Sequence, residues 1–153
     1  MTNYIDVISL ERAKLYLKVD ASQTETDEEI TSMINSSLSF IEKRTNHIFK
    51  TRDKVYYKDC ALVNQVKVYD YPIDNSVTDY DITYRPLYAF VPTIDNMVTL
   101  TIGYTSVQDI PNELIDAALQ LIKVWFYESE TQSNTTLIPL SVMEAIDVNR
   151  RFI

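Results

Sequence analysis

Glycine is almost missing from this chain. Gly103 is the single glycine in 153 residues, where average usage would give roughly ten. A dinucleotide-binding glycine fingerprint and a glycine-rich phosphate loop are therefore excluded, because both need backbone conformations that glycine supplies. One cysteine (Cys60) and one histidine (His47) exclude a Cys/His structural zinc site and an internal disulfide. Nothing in the sequence orients a Cys60–His47 pair as a nucleophile and base, and Cys60 reads as a small, half-buried strand residue. Long apolar runs are missing too. The most apolar stretch, Leu114 to Tyr127, is interrupted by Asp116, Gln120 and Lys123, so no membrane span is expected. Met1 to Asp6 lacks the basic flank and apolar run of a secretory signal, which gives an intracellular, reducing setting as the expectation.

What is present is ordinary globular composition, 46 % apolar and 24 % charged, over a length that suits one domain spanning 1–153. The net charge of −8 argues against nonspecific attraction to nucleic acid or anionic lipid. Its distribution is uneven. Between Lys43 and Lys58 six basic residues (Lys43, Arg44, Lys50, Arg52, Lys54, Lys58) face one acid, Asp53, a net of +5. Between Asp70 and Asp147 twelve acids face Arg85 and Lys123, a net of −10. Two solvated faces would explain this, and so would a molecule that packs against its own copies.

The pattern of elements is α+β: a small helical bundle with an antiparallel β block inserted between the second and third helices, and a short C-terminal helix. Ser9 caps a helix over about 10–18, with Leu10, Ala13 and Leu17 on one face. Thr26 and Glu29 form a capping-box pattern for a helix over about 27–45, whose apolar face is Ile30, Met33, Ile34, Leu38 and Ile41. Asn46 is the candidate left-handed cap. From about 53 to 104 the chain turns to β-branched and aromatic residues, with Val55–Tyr57, Val66–Tyr69, Tyr80–Tyr84 and Val98–Ile102 as strands and Asp95–Asn96 as a hairpin turn. Eight of the eleven tyrosines lie in this block, and their acidic surroundings favour sheet packing over base stacking. Pro111, with Asp109 as cap, opens a helix over about 112–129 in which Leu114, Ala118, Leu121, Ile122 and Trp125 form a stripe. Thr131 to Thr136 reads as a polar loop, and Ser141 with Glu144 as a second capping box for a helix over about 142–148.

No catalytic constellation emerges. His47 reads as a satisfied helix-end histidine. The pairs Glu28/Glu29 and Glu128/Glu130 do not converge on a substrate, because residues one or two apart on a helix diverge. Asp79 and Asp81 have no further oxygen ligands marked nearby, so no metal is assigned. The expectation is no enzyme, no cofactor and no metal, with a hydrolase built on spatially paired carboxylates left open.

Three ordered patterns resemble the head–tail connector (adaptor) proteins of tailed double-stranded DNA phages. The first is Leu10 to Asp20 (LERAKLYLKVD), a polar loop, and a helix opening at Asp27 to Ile30 and closing at Ile41 to Asn46. The second is the strand block closing at Val98 to Tyr104 (VTLTIGY), followed by Ile110-Pro111 and the helix Leu114 to Glu128. The third is Ile138 to Val142 (IPLSV), with Ile146 and Arg150 near the end. The chain departs from the family pattern in lacking a glycine near Ser141 and in carrying Val148-Asn149 where a proline-aromatic pair is common.

The resemblance implies a structural virion protein at the head–tail junction, assembled in the host cytoplasm. It implies a ring, typically of twelve copies, that joins the portal protein to a tail or stopper protein. Such a ring extends the channel through which double-stranded DNA passes without sequence-specific binding. It makes Arg150, Arg151 and Phe152 candidates for portal contact on a tail freed by the 131–136 loop. Acids between Asp70 and Asp147 would repel DNA phosphates from the channel wall. Lys50, Arg52, Lys54 and Lys58 would meet a neighbouring subunit or the portal. The alternative is a small soluble phage-encoded binding or regulatory module that forms no ring. On the connector reading, removing the residues after Ser141 is expected to abolish portal attachment and barely change the thermal melt.

Overall fold

The computed structural model describes residues 3–58, 64–74, 80–131 and 138–150. The elements are α1 (Tyr4–Val7), α2 (Leu10–Leu17), α3 (Asp27–Thr45), β1 (Arg52–Tyr57), β2 (Gln65–Val68), β3 (Thr83–Tyr84), β4 (Ala89–Pro92), β5 (Met97–Ile102), a 3-10 turn (Val107–Asp109), α4 (Asn112–Thr131) and α5 (Leu140–Asn149). The architecture is α+β, with the β block between α3 and α4. Cys60, Asp79, residues 132–136 of the expected polar loop, Arg151 and Phe152 lie outside the described residues, and Thr131, the first residue of that expected loop, ends α4.

Helix ends show what a chain with one glycine does instead. Ser9 caps α2 as its position predicts, its hydroxyl accepting from the Arg12 amide at 3.2 Å. α2 and α3 then stop at Lys18 (φ 59°) and Asn46 (φ 60°), both in the left-handed conformation that glycine most easily adopts. The other caps differ from expectation. Thr26 precedes α3 with ψ at 2°, outside the extended region from which a cap hydroxyl reaches the first free amides, and it makes no side-chain cap bond. Asp109 ends the 3-10 turn, and the carbonyl of Pro111 accepts from Leu114 at 3.0 Å to open α4. α5 begins two residues before the expected start, at Leu140 after Pro139. That places Ser141 inside the helix, where its hydroxyl donates to Gln120 on α4.

Two hydrophobic cores result. The helical core takes Ile30, Ile34, Leu38 and Ile41 from α3, Leu114, Ala118, Leu121 and Ile122 from α4, Ala13 and Leu17 from α2, and Val142 and Ile146 from α5. Trp125 sits at its margin, half-buried and edge-on to Phe40. The β core holds Ile48, Val66, Val68, Ile73, Ala89, Val91, Val98, Leu100 and Ile102.

The β block is two antiparallel sheets. β1 pairs with β5, from Arg52 opposite Ile102 to Tyr57 opposite Met97, and β4 lies between β2 and β3. The Asp95–Asn96 turn therefore closes no hairpin. It carries the chain from one sheet to the other, and the Asn96 carbonyl accepts from Lys58 at 2.9 Å as an extension of the β1–β5 ladder. β4 was not visible in the sequence because it ends in a proline. Pro92 is tolerated there since β3 pairs only as far as Phe90, so no partner on that side needs its amide.

The cores meet at a seam of three extended segments. The Ile48 amide donates to Tyr71 (2.7 Å), Tyr71 donates to Asn46 (2.9 Å), Tyr104 donates to Ile48 (3.1 Å) and Gly103 donates to Pro72 (2.8 Å). Ile48 belongs to the β core and its neighbour Phe49 to the helical core, as alternation along an extended chain dictates. The one glycine is at this seam. Gly103 has φ +110°, and a Cβ there would lie 2.9 Å from the Thr51 Cα and 3.0 Å from the Lys50 carbonyl oxygen.

Gly103→Ala is thus expected to lose about 2–4 kcal/mol of stability, from strain and crowding together. Lys18→Gly, at an exposed left-handed position, should gain about 0.5–1 kcal/mol. Thermal or urea melts of the two variants against the parent check both signs.

Candidate assembly surface

The side chains around β1 are organised by a carboxylate on α3. Glu42 lies in the last turns of that helix and is buried. Its Oε2 accepts from the Tyr4 hydroxyl at 2.7 Å and lies 3.6 Å from the Arg52 guanidinium. Its Oε1 accepts from the amides of Phe49 (2.6 Å) and Lys50 (3.2 Å). One group therefore ties α1, α3 and the segment entering β1. Two amides, a phenol and a guanidinium compensate its desolvation.

The four basic residues singled out from the sequence separate into two kinds. Arg52, Lys54 and Tyr56 lie on the same side of β1 as the buried Val98, Leu100 and Ile102 of β5, because directly paired residues of an antiparallel ladder share a face. Their long side chains run along that side to polar partners at its margin. Arg52 reaches Glu42, and Lys54 reaches Asp70 at 2.6 Å. The Tyr56 hydroxyl donates to the same Asp70 oxygen, and Lys54 stands 5.3 Å from the Tyr56 ring centre. Lys58 donates to Asn64 at 3.3 Å, and Lys50 is exposed at the strand's entry. Two of the four charges are thus met within the chain.

The opposite side of the β1–β5 sheet is exposed, and it carries apolar residues that strand alternation alone would assign to the core. Val55, Tyr57 and Met97 are 42 %, 73 % and 58 % exposed, with Thr99 opposite Val55 and Met97 opposite Tyr57. The sequence offered no signal for this inversion. It follows from the partner strand, whose buried residues decide which side of β1 faces inward.

Lys14 is a second unanticipated group. It is buried in α2, donates to the carbonyls of Gln23 (2.7 Å) and Ala21 (3.4 Å), and pairs with Asp27, closing the loop between α2 and α3.

Of the portal-contact candidates, Arg150 is described. It is exposed and follows α5, beside Asn149, whose amide donates to Glu113 at the start of α4. Arg151 and Phe152 fall outside the described residues. α5 itself is not a free tail, since Val142 and Ile146 are fully packed in the helical core. The reason lies in the apolar spacing of those two residues, one helical turn apart on a single face.

His47 lies just beyond α3, bridged to Tyr71. It is buried, its Nδ1 lies 2.7 Å from the Tyr104 hydroxyl, and its ring is stacked on Tyr104 and edge-on to Tyr71. Among the described residues no group of three or more His, Cys, Asp or Glu side chains is placed to hold a metal ion. No described helix is long and apolar enough to cross a membrane.

Neither a protein-family model nor a curated protein matches this sequence. Among solved structures the chain is similar to a chain of the neck of an empty GTA particle computed with C6 symmetry. The TM-score is 0.64 at 15 % identity, and the match covers 96 % of this chain and 91 % of that one. At that identity the likeness establishes a shared fold, one that takes in the helices and the inserted β block together.

Burial and the hydrogen bond to Glu42 push the Tyr4 phenol up to about 12, and burial with the Asp70 bond pushes the Tyr56 phenol up as well. A raised phenol pKa means the folded state holds its proton longer than the unfolded state, whose value is near 10. The stabilisation is complete below pH 10 and is lost as pH rises from 10 through 12. Chemical melts across that window should show a steep alkaline loss in the parent and a shallower one in Tyr4→Phe.

Proposed function

We propose that this protein is a structural virion component, a head–tail connector that forms a ring between the portal protein and a tail or stopper protein. The observation that carries the reading is the shared fold over nearly the full length of both chains with a protein from the neck of a GTA particle. The ordered sequence patterns that resemble phage connectors support it independently. A neck treated with sixfold symmetry is a rotational assembly, and the twelve copies implied by the resemblance are compatible with a sixfold axis.

On this reading 1–153 is one connector domain, located at the head–tail junction of the virion after assembly in the host cytoplasm. It catalyses no reaction and uses no cofactor. Double-stranded DNA passes along a wall whose acids keep phosphates from sticking. Lys50, Arg52, Lys54 and Lys58 lie toward a neighbouring subunit or the portal, with Lys50 and Lys58 supplying the charge that Glu42 and Asp70 do not already meet. Arg150, Arg151 and Phe152 contact the portal, where arginine offers bidentate hydrogen bonds and the aromatic ring an anchor.

Because α5 packs in the helical core, the test of the portal contact spares it. Arg150, Arg151 and Phe152 are replaced together by alanine, and native mass spectrometry follows the mixture with the portal protein of the same genome. The parent is expected to give a discrete multi-copy complex. The triple variant should bind at least tenfold more weakly, about 1.4 kcal/mol, with a melt within a degree or two of the parent. Undiminished binding by the variant would refute the portal contact, and separate portal and chain with the parent would refute the connector.

A further inference from the structure

β1 is an edge strand, and its register shows which way its peptide groups point. Directly opposed residues of an antiparallel ladder alternate between pairs that exchange both backbone bonds and pairs that exchange none. The Lys58 amide donates to the Asn96 carbonyl at 2.9 Å, one step beyond the Tyr57–Met97 pair. Tyr56, Lys54 and Arg52 are therefore bonded to β5, and the peptide groups of Asp53, Val55 and Tyr57 point away from it. The partner strand agrees: the Thr101 carbonyl, opposite Asp53, accepts from Asp74 on its far side at 2.9 Å. Among the described residues no hydrogen bond meets the outward peptide groups of Asp53, Val55 and Tyr57.

β2 has an outer edge of the same kind. The Thr93 amide donates to Asn64 at 3.0 Å, one step beyond the Gln65–Pro92 pair. Val66 and Val68 are thus bonded to β4, and the peptide groups of Gln65 and Lys67 point away from it. Pro92, which has no N–H to give, sits opposite Gln65 as that alternation requires. β1 and β2 follow one another in the chain, and side chains tie them at two places. Lys58, just past β1, donates to Asn64, just before β2, at 3.3 Å. Lys54 reaches Asp70, two residues past β2, at 2.6 Å, and the Tyr56 hydroxyl donates to the same carboxylate.

Set opposite each other through Lys58 and Asn64, the two strands match. Tyr57 falls opposite Gln65, Val55 opposite Lys67 and Asp53 opposite Tyr69, so outward peptide groups meet outward peptide groups. Tyr56 falls opposite Val66, Lys54 opposite Val68 and Arg52 opposite Asp70, so the side of β1 that β5 buries coincides with the buried side of β2. An aromatic across from a β-branched residue and opposite charges across from each other are favourable pairs. A slip of one residue would spoil both matches.

We propose that the β block has a closed state in which β2 pairs with the outer edge of β1 in this register, joining the two sheets into one of order β5-β1-β2-β4-β3. A strand from another chain would have to part the contacts of Lys58 with Asn64 and of Lys54 with Asp70, whereas β2 keeps both. Closure also changes the outer surface. Val55 and Tyr57 come beside a half-buried cluster in which Lys67 stands over the rings of Tyr69 (4.9 Å) and Tyr88 (4.1 Å), with Tyr88 edge-on to Phe90. Two separate patches become one. The closed state goes beyond the connector reading and does not depend on it.

The test traps the closed state and reads the ladder away from the trap. In a Cys60→Ser background, Asp53→Cys and Tyr69→Cys are combined, at the end remote from the link between the strands. Oxidation is expected to give a disulfide within one chain. Amide hydrogen exchange at Val55 and Tyr57 should then slow at least tenfold relative to the same variant reduced, while Tyr56 and Val66, bonded to β5 and β4 in both states, change little. Asp53→Cys with Lys67→Cys, one pair out of register, should oxidise at least tenfold more slowly. Tyr57→Cys with Gln65→Cys, both at exposed positions, repeats the trap at the near end with the Asp53 and Val55 amides as readout. Outward amides that exchange as fast after oxidation as before would overturn the closed state, and so would the absence of a disulfide within one chain. Equal oxidation of the in-register and out-of-register pairs would overturn the register. Slowing that grows with protein concentration would overturn the proposal by giving the edge to a second copy.

Discussion

A single buried carboxylate governs how the β block leaves the helical bundle. Glu42 stands in the last turns of α3 and binds the first residues beyond it, so the direction of the chain after the helix is set by the helix itself. The same oxygens hold α1 through Tyr4 and restrain the base of β1 through Arg52. A buried charge that lost one of these partners would keep its desolvation cost and lose the compensation, so the arrangement behaves as a unit. Everything that the β block presents to its surroundings depends on that angle of departure.

Periodicity made the bundle legible and left the sheets half-hidden. The stripe Ile30, Ile34, Leu38, Ile41 and its counterpart on α4 are buried where their spacing puts them, because a long amphipathic helix repeats its signal many times. Asn46 was readable as a left-handed cap for want of glycine. The failures are local and share a cause. Glu42 and Lys14 sit among charged residues that pattern alone assigns to solvent, and their burial depends on partners far away in the chain. Thr26, Asp109 and Ser141 match capping sequences, yet the backbone around each gives its side chain another role or none. Strand β1 reads inverted because a two-stranded ladder takes its inside from its partner.

The candidate site was legible as charge and not as geometry. The basic cluster from Lys43 to Lys58 is visible in the sequence, but its division into Arg52 and Lys54, held by Glu42 and Asp70, Lys58, which donates to Asn64, and Lys50, exposed at the strand's entry, required the fold. The apolar tip formed by Val55, Tyr57 and Met97 was invisible, since exposure of a strand residue is a property of the sheet and not of the residue. Contiguous exposed apolar area is the usual makeup of a surface that is covered in an assembly.

The alternation of Ile48 and Phe49 between two cores has an evolutionary corollary. Most connections between elements tolerate insertion or loss of a residue, since a loop has no inside and outside to confuse. The link between α3 and β1 is different: one added or missing residue would exchange the two side chains, sending a phenyl ring into the β core and leaving the bundle with the wrong hydrophobe. Relatives that share this architecture should vary freely in the length of their surface loops, yet keep the distance from the end of α3 to the first strand constant to the residue.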